Sequence, residues 1–374
     1  MNILISGDFF IADEYANKEL IDHSVVDIFQ QADYRIVNLE APLTANEPKN
    51  KILKTGPHLR MSENTVLPYL KQLKVDAVTL ANNHILDYGT NGLLDTFESL
   101  RKNKINYVGA GSNLSEAAKP LSLEKDGLRI AILNFCENEW SIAEPNSPGA
   151  NPLDIIDNTN QIKVAKATHD KVICVIHGGH EYFHLPSPRM QKQYRFYADN
   201  GADAIVGHHT HCIGGYEVYN DVPIIYSLGN FLFTLPSQKD VWYEGLISGL
   251  LIENDKPIKF EIHPVKQQRN SFQTFLLKNK EKEIVLEAIK ELNSSITKEE
   301  QLQKNWKKLI DEKQNIYFNY LSPVNNISNQ FLRTAFLKAG LKFLSLRYLL
   351  YLTNIIRCQA HTDILNNVLN YKTK

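Results

Sequence analysis

Three of the chain's 12 histidines fall within five consecutive positions, in the stretch GHHTH from Gly207 to His211. Such a cluster can bind a metal ion, form a catalytic pair or lie in a polar turn. In an extended segment, residues two positions apart face the same side, so His209 and His211 would point together and His208 would turn away. Two imidazoles on one side can reach two adjacent ions. The spacing therefore favours a metal site, with His208 in a supporting or structural position.

Further polar side chains follow short apolar runs elsewhere in the chain. Each run is followed by Asp, Glu, Asn or His, namely Asp8, Asn38, Glu40, Asn82, Asn83, His84 and His177. In layered α/β proteins, the loops after the strands converge on one edge, so we expect these side chains to meet. Taken alone, each residue could also have an ordinary structural role, as a helix cap, a surface carboxylate or part of a turn. Carboxylates mixed with imidazoles suit Mn²⁺, Fe or Zn²⁺, and suit neither an all-oxygen calcium cage nor a thiolate site.

The segments that would position these side chains alternate between two patterns. Several β-branched runs are apolar on both faces, as buried strands are: 2–6, 34–38, 75–80, 129–134, 171–176, 203–207 and 223–228. Most are separated by segments with helical spacing: 18–31, 62–73, 91–103, 158–169 and 187–201. This alternation predicts an α/β layered fold. Residues 244–264 predict a hairpin instead, so we expect mixed sheets that end in antiparallel strands.

The sequence changes character after about residue 270, where Lys/Glu-rich segments with helical spacing replace the strand pattern. No strand is predicted beyond this point. We therefore predict two parts, a main domain over 1–268 and a helical C-terminal extension over 269–374.

The end of the extension is both apolar and basic. Residues 332–357 predict one helix that is apolar almost all round, with Lys338 and Lys342 on one face and Arg347 roughly opposite. Residues 315–374 contain seven Lys/Arg and one Asp. Such a helix either packs on the main domain or on a second subunit, or it lies at a membrane surface.

Composition and net charge restrict the classes of partner. Hydrophobic residues make up 43% of the chain, its formal charge is -1 and its pI is about 6.9. No global field attracts nucleic acid, and no basic stripe with interleaved aromatic residues indicates a nucleic-acid site. The four cysteines form no CxxC pair, and the sequence has neither an apolar run of 18 residues nor a signal segment. We expect a cytoplasmic protein, either free or peripheral at the inner membrane face.

The ordered motifs resemble the CapA branch of the calcineurin-like metallophosphoesterase superfamily, named for poly-γ-glutamate capsule synthesis. The resemblance covers about residues 1–265 and rests on SGD (6–8), VNLEAPLT (37–44), LANNHILDYG (80–89), IHGGHEY (176–182), GHHTH (207–211) and PIIYSLGNFLF (223–233). It implies a four-layer α-β-β-α sandwich, in which two mixed sheets lie face to face with helices outside. The helical extension lies outside the resemblance.

The resemblance also implies a role for each matched residue. It implies that the carboxylate of Glu40 bridges two ions. Asp8 and His211 would bind the first ion, and Asn83, His177 and His209 would bind the second. His84 would donate a proton to the leaving oxygen or stabilise charge on phosphate, and Asp87 would orient its ring. Asn230, in the segment SLGNF, could donate a hydrogen bond to phosphate or only cap a turn. A dinuclear centre of this kind supports hydrolysis of a phosphate ester.

The chain departs from the superfamily pattern at two positions. Phe10 stands two residues after Asp8, where the superfamily usually has a histidine ligand, so the first ion has one donor fewer. Glu40 replaces the usual aspartate and is one methylene longer. Glu181 or His180 could supply the missing donor. The sequence is therefore compatible with either one or two ions per chain.

Two functions are compatible with these residues. The first is a metal-dependent hydrolase, a phosphoesterase acting on a phosphorylated small molecule or polymer precursor in capsule, poly-γ-glutamate or extracellular polysaccharide synthesis. Its cofactor would be a divalent ion, with Mn²⁺ preferred over Fe or Zn²⁺. The alternative is a catalytically weak or inactive assembly protein of a polymer-synthesis complex, in which 315–374 would contact the synthase or the membrane.

Overall fold

The computed structural model describes residues 1–45, 47–340, 344–358, 360–362, 364–365 and 368–369. The chain separates into two units, Met1–Leu302 and Gln303–Lys374. The strands described below all lie in the first unit, whereas the second unit is built from helices.

The first sheet has eight strands. They are β1 (Asn2–Phe10), β2 (Tyr34–Leu39), β3 (Ala77–Thr79), β4 (Asn106–Val108), β13 (Asn230–Phe233), β14 (Glu244–Leu251), β15 (Lys259–Gln267) and β16 (Thr274–Leu276). Their order is β16-β15-β14-β1-β2-β3-β4, and β13 also pairs with β1. The strands from β1 to β4 run parallel, while β14, β15 and β16 pair antiparallel. The predicted hairpin over 244–264 corresponds to β14 and β15.

The second sheet has six strands. They are β6 (Leu121–Lys125), β7 (Leu128–Cys136), β9 (Lys171–His177), β10 (Ala204–His208), β11 (Tyr216–Tyr219) and β12 (Val222–Ile225). Their order is β11-β12-β10-β9-β7-β6, with antiparallel pairs at both edges. A separate two-stranded sheet joins β5 (Ala110–Gly111) to β8 (Gly149–Ala150). Both large sheets are mixed, as the sequence predicts.

Helices connect most of these strands. They are α1 (His23–Gln30), α2 (Glu63–Gln72), α3 (Gly89–Lys102), α4 (Leu114–Ala117), α5 (Ile155–Lys166), α6 (Pro188–Asp199), α7 (Asn279–Ile296), α8 (Glu299–Leu321), α9 (Gln330–Lys338) and α10 (Leu346–Arg357). Several begin at a residue whose side chain accepts a hydrogen bond from a free backbone N–H of the first turn, as Asp22, Ser62 and Ser187 do. These caps fix where α1, α2 and α6 start.

Alternation of side chains along the strands assigns each face of a sheet to a layer. In β1, Ile3 and Ile5 face a core that also contains Ile173 of β9, so this core lies between the two sheets. Leu4 faces the opposite side and packs with α1, α2 and α3. In β9, Cys174 faces a third core beneath α5 and α6. The order is helices, sheet, sheet, helices, which confirms the predicted α/β sandwich.

The structure differs from the sequence-based assignment at short strands. The strand predicted at 223–228 ends at Ile225, and a separate strand, β13, begins at Asn230. A further strand, β16, follows residue 270, where none is predicted. Strands of three or four residues carry too little alternation to be recognised from sequence.

The first unit extends beyond the predicted main domain of 1–268. Its next helix, α7, buries Ile289 in the core between the sheets and Ile296 in the core beneath α5 and α6. The predicted division at 268/269 therefore precedes elements that pack within the first unit, whose last residue is Leu302.

The prediction of one helix over 332–357 is wrong, because the second unit has two helices, α9 and α10, in this region. The helix α9 ends at Lys338, and Gly340 has a φ of +72°, a left-handed conformation that stops a helix. A new helix, α10, then begins after Ser345, whose side chain caps the first turn. Lys342, which is predicted to share a face with Lys338, lies outside the described residues. Within the described ranges, no helix combines the length and the hydropathy needed to cross a membrane.

Candidate metal centre

Both sheets bring polar side chains to one region at the carboxyl ends of their parallel strands. The pairing of β1 is irregular around Asp8, where its registers with β2 and β13 shift. Such a bulge re-aims a side chain relative to the strand. The first sheet contributes the residues within or just after β1, β2 and β3: Asp8, Glu40 and Asn83. The second sheet contributes those at the end of β9 and just after β10: His177, His209 and His211.

Asp8, Glu40 and His177 form the centre of this cluster. One potential ligand atom from each lies within 4.8 Å of the other two, and all three residues are buried. His177 Nε2 is 3.8 Å from Glu40 Oε1, and His177 Nδ1 is 4.0 Å from Asp8 Oδ1. Asn38 donates a hydrogen bond of 2.7 Å to Asp8 Oδ1 and so holds that carboxylate in place. The sequence identifies Asn38 at a strand end but not this role.

Glu40 is the least satisfied polar residue in the cluster. It is 0% exposed, and neither carboxylate oxygen has a hydrogen-bond partner among the described residues. Burial raises the pKa of Glu40 well above its usual value, and the charge of Asp8 raises it further. A buried, unpaired carboxylate is costly unless a cation neutralises it. This carboxylate therefore fits a divalent metal ion.

The three residues assigned to the second ion also converge. His177 Nε2 lies 3.1 Å from Asn83 Oδ1 and 3.2 Å from His209 Nδ1. Burial lowers the pKa of His177 well below its usual value, and the neighbouring imidazoles lower it further. A neutral imidazole has the free lone pair that metal binding requires. The position and the protonation of these groups therefore suit metal ligands.

A hydrogen-bond chain through Asn230 fixes the tautomer of His211. Asn230 Nδ2 donates to the backbone oxygen of Trp242 at 2.9 Å, so its Oδ1 must face His211. His211 Nδ1 therefore donates a proton to Asn230 Oδ1, 2.9 Å away. This leaves the lone pair on Nε2, which lies 3.6 Å from Glu40 Oε1. Asn230 begins β13 and orients the ring of His211, and both polar ends of its side chain are occupied.

The backbone around the histidines is not the extended segment that the sequence suggests. The strand β10 ends at His208, and both His209 and His211 have positive φ, +89° and +53°. Their rings still lie 6.2 Å apart near the cluster. Non-glycine residues in this conformation store strain that often marks a functional site. His208 is buried and its Nε2 donates to the backbone oxygen of Ser6, 2.9 Å away.

Beside the cluster, His84 and Asp87 form a hydrogen-bonded pair. His84 Nδ1 is 2.7 Å from Asp87 Oδ2, which also accepts a hydrogen bond of 2.6 Å from the backbone N–H of Leu59. The other Asp87 oxygen forms an ion pair with Lys54, whose side chain is only 2% exposed. Lys54 Nζ also lies 3.3 Å from His84 Nδ1. Lys54 is in a loop without a motif, so the sequence gives no indication of it.

Aromatic side chains occupy the side of the cluster near Phe10. The ring of Phe10 packs on Phe233 at 5.1 Å, and Phe233 and Trp242 lie 5.2 Å and 4.8 Å from the ring of His211. The position where the superfamily usually has a histidine is thus filled by a hydrophobic contact. Glu181, an alternative donor, is exposed, and neither it nor His180 belongs to the group of three around Glu40.

One further carboxylate, that of Glu139, lies beside Asn83 and His209 and is not predicted from the sequence. Glu139 Oε1 is 3.9 Å from His209 Nε2, and Asn83 Nδ2 donates to Glu139 Oε2 over 3.4 Å. A carboxylate on the outer nitrogen of a ligand histidine commonly orients the ring. Because Glu139 follows a strand that lacks any recognisable motif, only the fold brings it to the site.

The fold defines a layered α/β protein with carboxylate and imidazole side chains gathered at its strand ends. The chain belongs to the family described as bacterial capsule synthesis protein PGA_cap, whose profile matches residues 3–235. The predicted resemblance to the CapA family is therefore confirmed.

Curated relatives of this chain carry capsule or polyglutamate names. The "PGA biosynthesis protein CapA" of Bacillus subtilis (strain 168) is 37% identical over 223 residues, which are 59% of this chain and 58% of that protein. The "Capsule biosynthesis protein CapA" of Bacillus anthracis is 34% identical over 230 residues, or 60% and 56% of the two chains. The chain thus matches little more than half the length of these relatives.

One solved structure matches the chain at low similarity. The 5'-nucleotidase from Candida albicans SC5314 is 12% identical, with a TM-score of 0.41 over 84% of this chain and 57% of that chain. A likeness at this level carries no argument about function.

Proposed function

We propose that this chain is a metal-dependent phosphoesterase that acts on a phosphorylated precursor in the synthesis of polyglutamate or a related capsule polymer. The observation that carries the proposal is Glu40, a buried carboxylate whose two oxygens have no hydrogen-bond partner. The named relatives support the biological setting, and the mixed donor set supports the chemistry.

Two groups of residues would hold divalent ions, with Mn²⁺ preferred over Fe or Zn²⁺. Asn83, His177 and His209 form the more complete group, because two nitrogen donors and an amide oxygen converge there. Asp8 and His211 form the other group, and Glu40 lies between the two. Phe10 contributes no donor, so we propose that the group of Asn83 is the tighter site.

A bound divalent ion supplies a Lewis acid for the phosphoryl group and lowers the pKa of a coordinated water. The chain's own residues supply positioning and proton transfer. Asp87 accepts a hydrogen bond from the Nδ1–H of His84, and a His84 protonated on both nitrogens would donate its Nε2 proton to the leaving oxygen and become neutral. Lys54 neutralises the charge of Asp87 and keeps its carboxylate fixed. Asn230 holds the tautomer of His211.

The decisive experiment combines metal analysis with hydrolysis. Elemental analysis of untreated protein should find bound Mn, Fe or Zn, and the metal-replete protein should hydrolyse an aryl phosphate mono- or diester. Replacing His84 by Asn should lower kcat by about 10²- to 10⁴-fold, the usual contribution of a general acid. The matched control is His169→Asn, because His169 bonds to Ser122 outside the cluster and should leave kcat unchanged.

The replacement of a ligand by Phe10 favours a second candidate, a non-catalytic assembly protein of the polymer synthase. This function requires the fold but not the chemistry. Metal-replete protein without turnover, together with polymer synthesis in cells that is insensitive to Glu40→Gln but lost on deletion of 315–374, would establish it and refute the phosphoesterase.

A further inference from the structure

The helix α10 has an apolar face that the described residues cover only in part, since Leu349, Leu352 and Ile355 are half-buried and Tyr348, Tyr351 and Ile356 are exposed. None of its 12 residues is buried. Tyr351 is 65% exposed and Ile356 is 64% exposed, and Tyr348 lies on the same side of the helix. Exposed aliphatic and aromatic side chains on one face of a helix usually contact another hydrophobic surface. The helix therefore requires a partner.

The other side of α10 carries its basic residues, together with the exposed Leu346 and Leu350. Arg347, Asn354 and Arg357 are spaced by seven and three residues, so they fall on one side of the helix. All three are exposed. From residue 330 to residue 358 the sequence contains five Lys/Arg and no Asp or Glu. The segment thus combines an apolar face with uncompensated positive charge.

This combination identifies the class of partner. A second copy of the same helix could cover the apolar face but would leave this positive charge uncompensated, because the segment has no acidic residue. An anionic lipid surface satisfies both faces, because arginine contacts phosphate headgroups while apolar side chains enter the acyl boundary. Tyrosines such as Tyr348 and Tyr351 are enriched at that interface.

We propose that α10 binds in the plane of an anionic lipid surface, with Tyr351 and Ile356 facing the acyl chains and with Arg347 and Arg357 at the headgroups. This proposal is independent of the metal centre, because it rests on the second unit alone.

The first test uses the full chain and flotation with phosphatidylcholine vesicles, with and without phosphatidylglycerol. Binding should appear only with phosphatidylglycerol and should fall as salt is added, since screening weakens the attraction. Equal binding to both vesicle types, or binding to neither, would overturn the proposal. This comparison needs no variant, so it does not depend on the folding of one.

The second test changes each face of α10. Arg347→Gln and Arg357→Gln should each weaken binding to phosphatidylglycerol vesicles about fivefold, and about 25-fold together. The matched control is the double variant Lys71→Gln/Lys163→Gln, which removes two exposed helical cations from the first unit and should not change binding. An equal loss in the control would show that only net charge matters and would refute a site on α10.

The double variant Tyr351→Ser/Ile356→Ser should abolish vesicle binding while the helical circular dichroism of the full chain is retained. If light scattering instead shows a dimer of the wild-type chain that this variant dissociates, the apolar face is an interface between copies, and the lipid proposal is wrong.

Discussion

Single residues at the metal centre differ in what they contribute to the metal-free fold. Glu40 is buried without a hydrogen bond, so its charge opposes folding until a cation binds. Glu217 is also a buried carboxylate, but it accepts hydrogen bonds from Arg195 and Tyr226. The two residues therefore form a matched pair for experiment.

We predict that Glu40→Gln abolishes metal binding and raises the stability of the metal-free protein by about 1–3 kcal/mol, because an uncompensated charge is removed. Glu217→Gln should lower stability by a similar amount and leave the metal content unchanged. Chemical denaturation in the presence of chelator, with elemental analysis of each variant, measures both effects. A loss of stability in Glu40→Gln would mean that its carboxylate is satisfied in solution.

Asn230 permits a second prediction at this scale. Because it fixes the tautomer of His211, Asn230→Ala should weaken metal affinity by about 10- to 100-fold, as the loss of such partners usually does. The control is Asn158→Ala, which removes a buried asparagine that bonds to Tyr197 and to the backbone of Pro152. It should cost stability but not affinity. Competition with a metal-binding dye gives the affinities.

Among the elements, the starts of β13 and β14 approach each other very closely beside an antiparallel bridge between Gly229 and Gly245. A methyl group built on Gly245 of β14 would lie 1.9 Å from the backbone oxygen of Asn230. On Gly249 of the same strand, the nearest atom would be a side-chain carbon of Leu4 at 3.3 Å. Backbone cannot yield as a side chain can, so only Gly245 is required by the packing.

We predict that Gly245→Ala destabilises the protein by about 3 kcal/mol or more and lowers its metal content, because it displaces the start of β13 and with it Asn230. Gly249→Ala should cost less than about 1 kcal/mol and keep the metal. Thermal denaturation and metal analysis of the two variants test this. Similar effects of both substitutions would contradict the close approach of Gly245 to the backbone of Asn230.

The strands and loops also show which parts of the fold and of the site can be predicted from the sequence. Long buried strands such as β1, β7 and β9 were predictable because several consecutive apolar residues require burial on both faces. The prediction that His209 and His211 share one side rests on an extended backbone, which the structure contradicts, since both residues have positive φ. Lys54 and Glu139 were not predictable, because a single charged residue in a loop has no periodicity and only the tertiary fold places it.

At the scale of the whole molecule, the described hydrophobic cores end at Leu302. We predict that a chain ending at Ile310, which keeps about two turns of α8 after Leu302, retains the metal content and melting temperature of the full chain. A chain ending at residue 268 should fail to fold stably, because it lacks Ile289 and Ile296 of α7. Calorimetry of both truncations separates a domain boundary near 302 from the one predicted near 268.

The position of β1 has a consequence for synthesis of the chain. This strand precedes the other strands of its sheet in the sequence, yet it lies between β2 and β14, and β14 (Glu244–Leu251) follows more than two hundred residues later. Its parallel neighbour β13 is also more than two hundred residues away in sequence. During synthesis β1 can pair early with β2, but its edge toward β13 and β14 stays unpaired until residues 230–251 are made. Asp8 likewise reaches His209 and His211 only after those histidines are made. Early chaperone contact with residues 2–10 is the expected cellular counterpart of this topology.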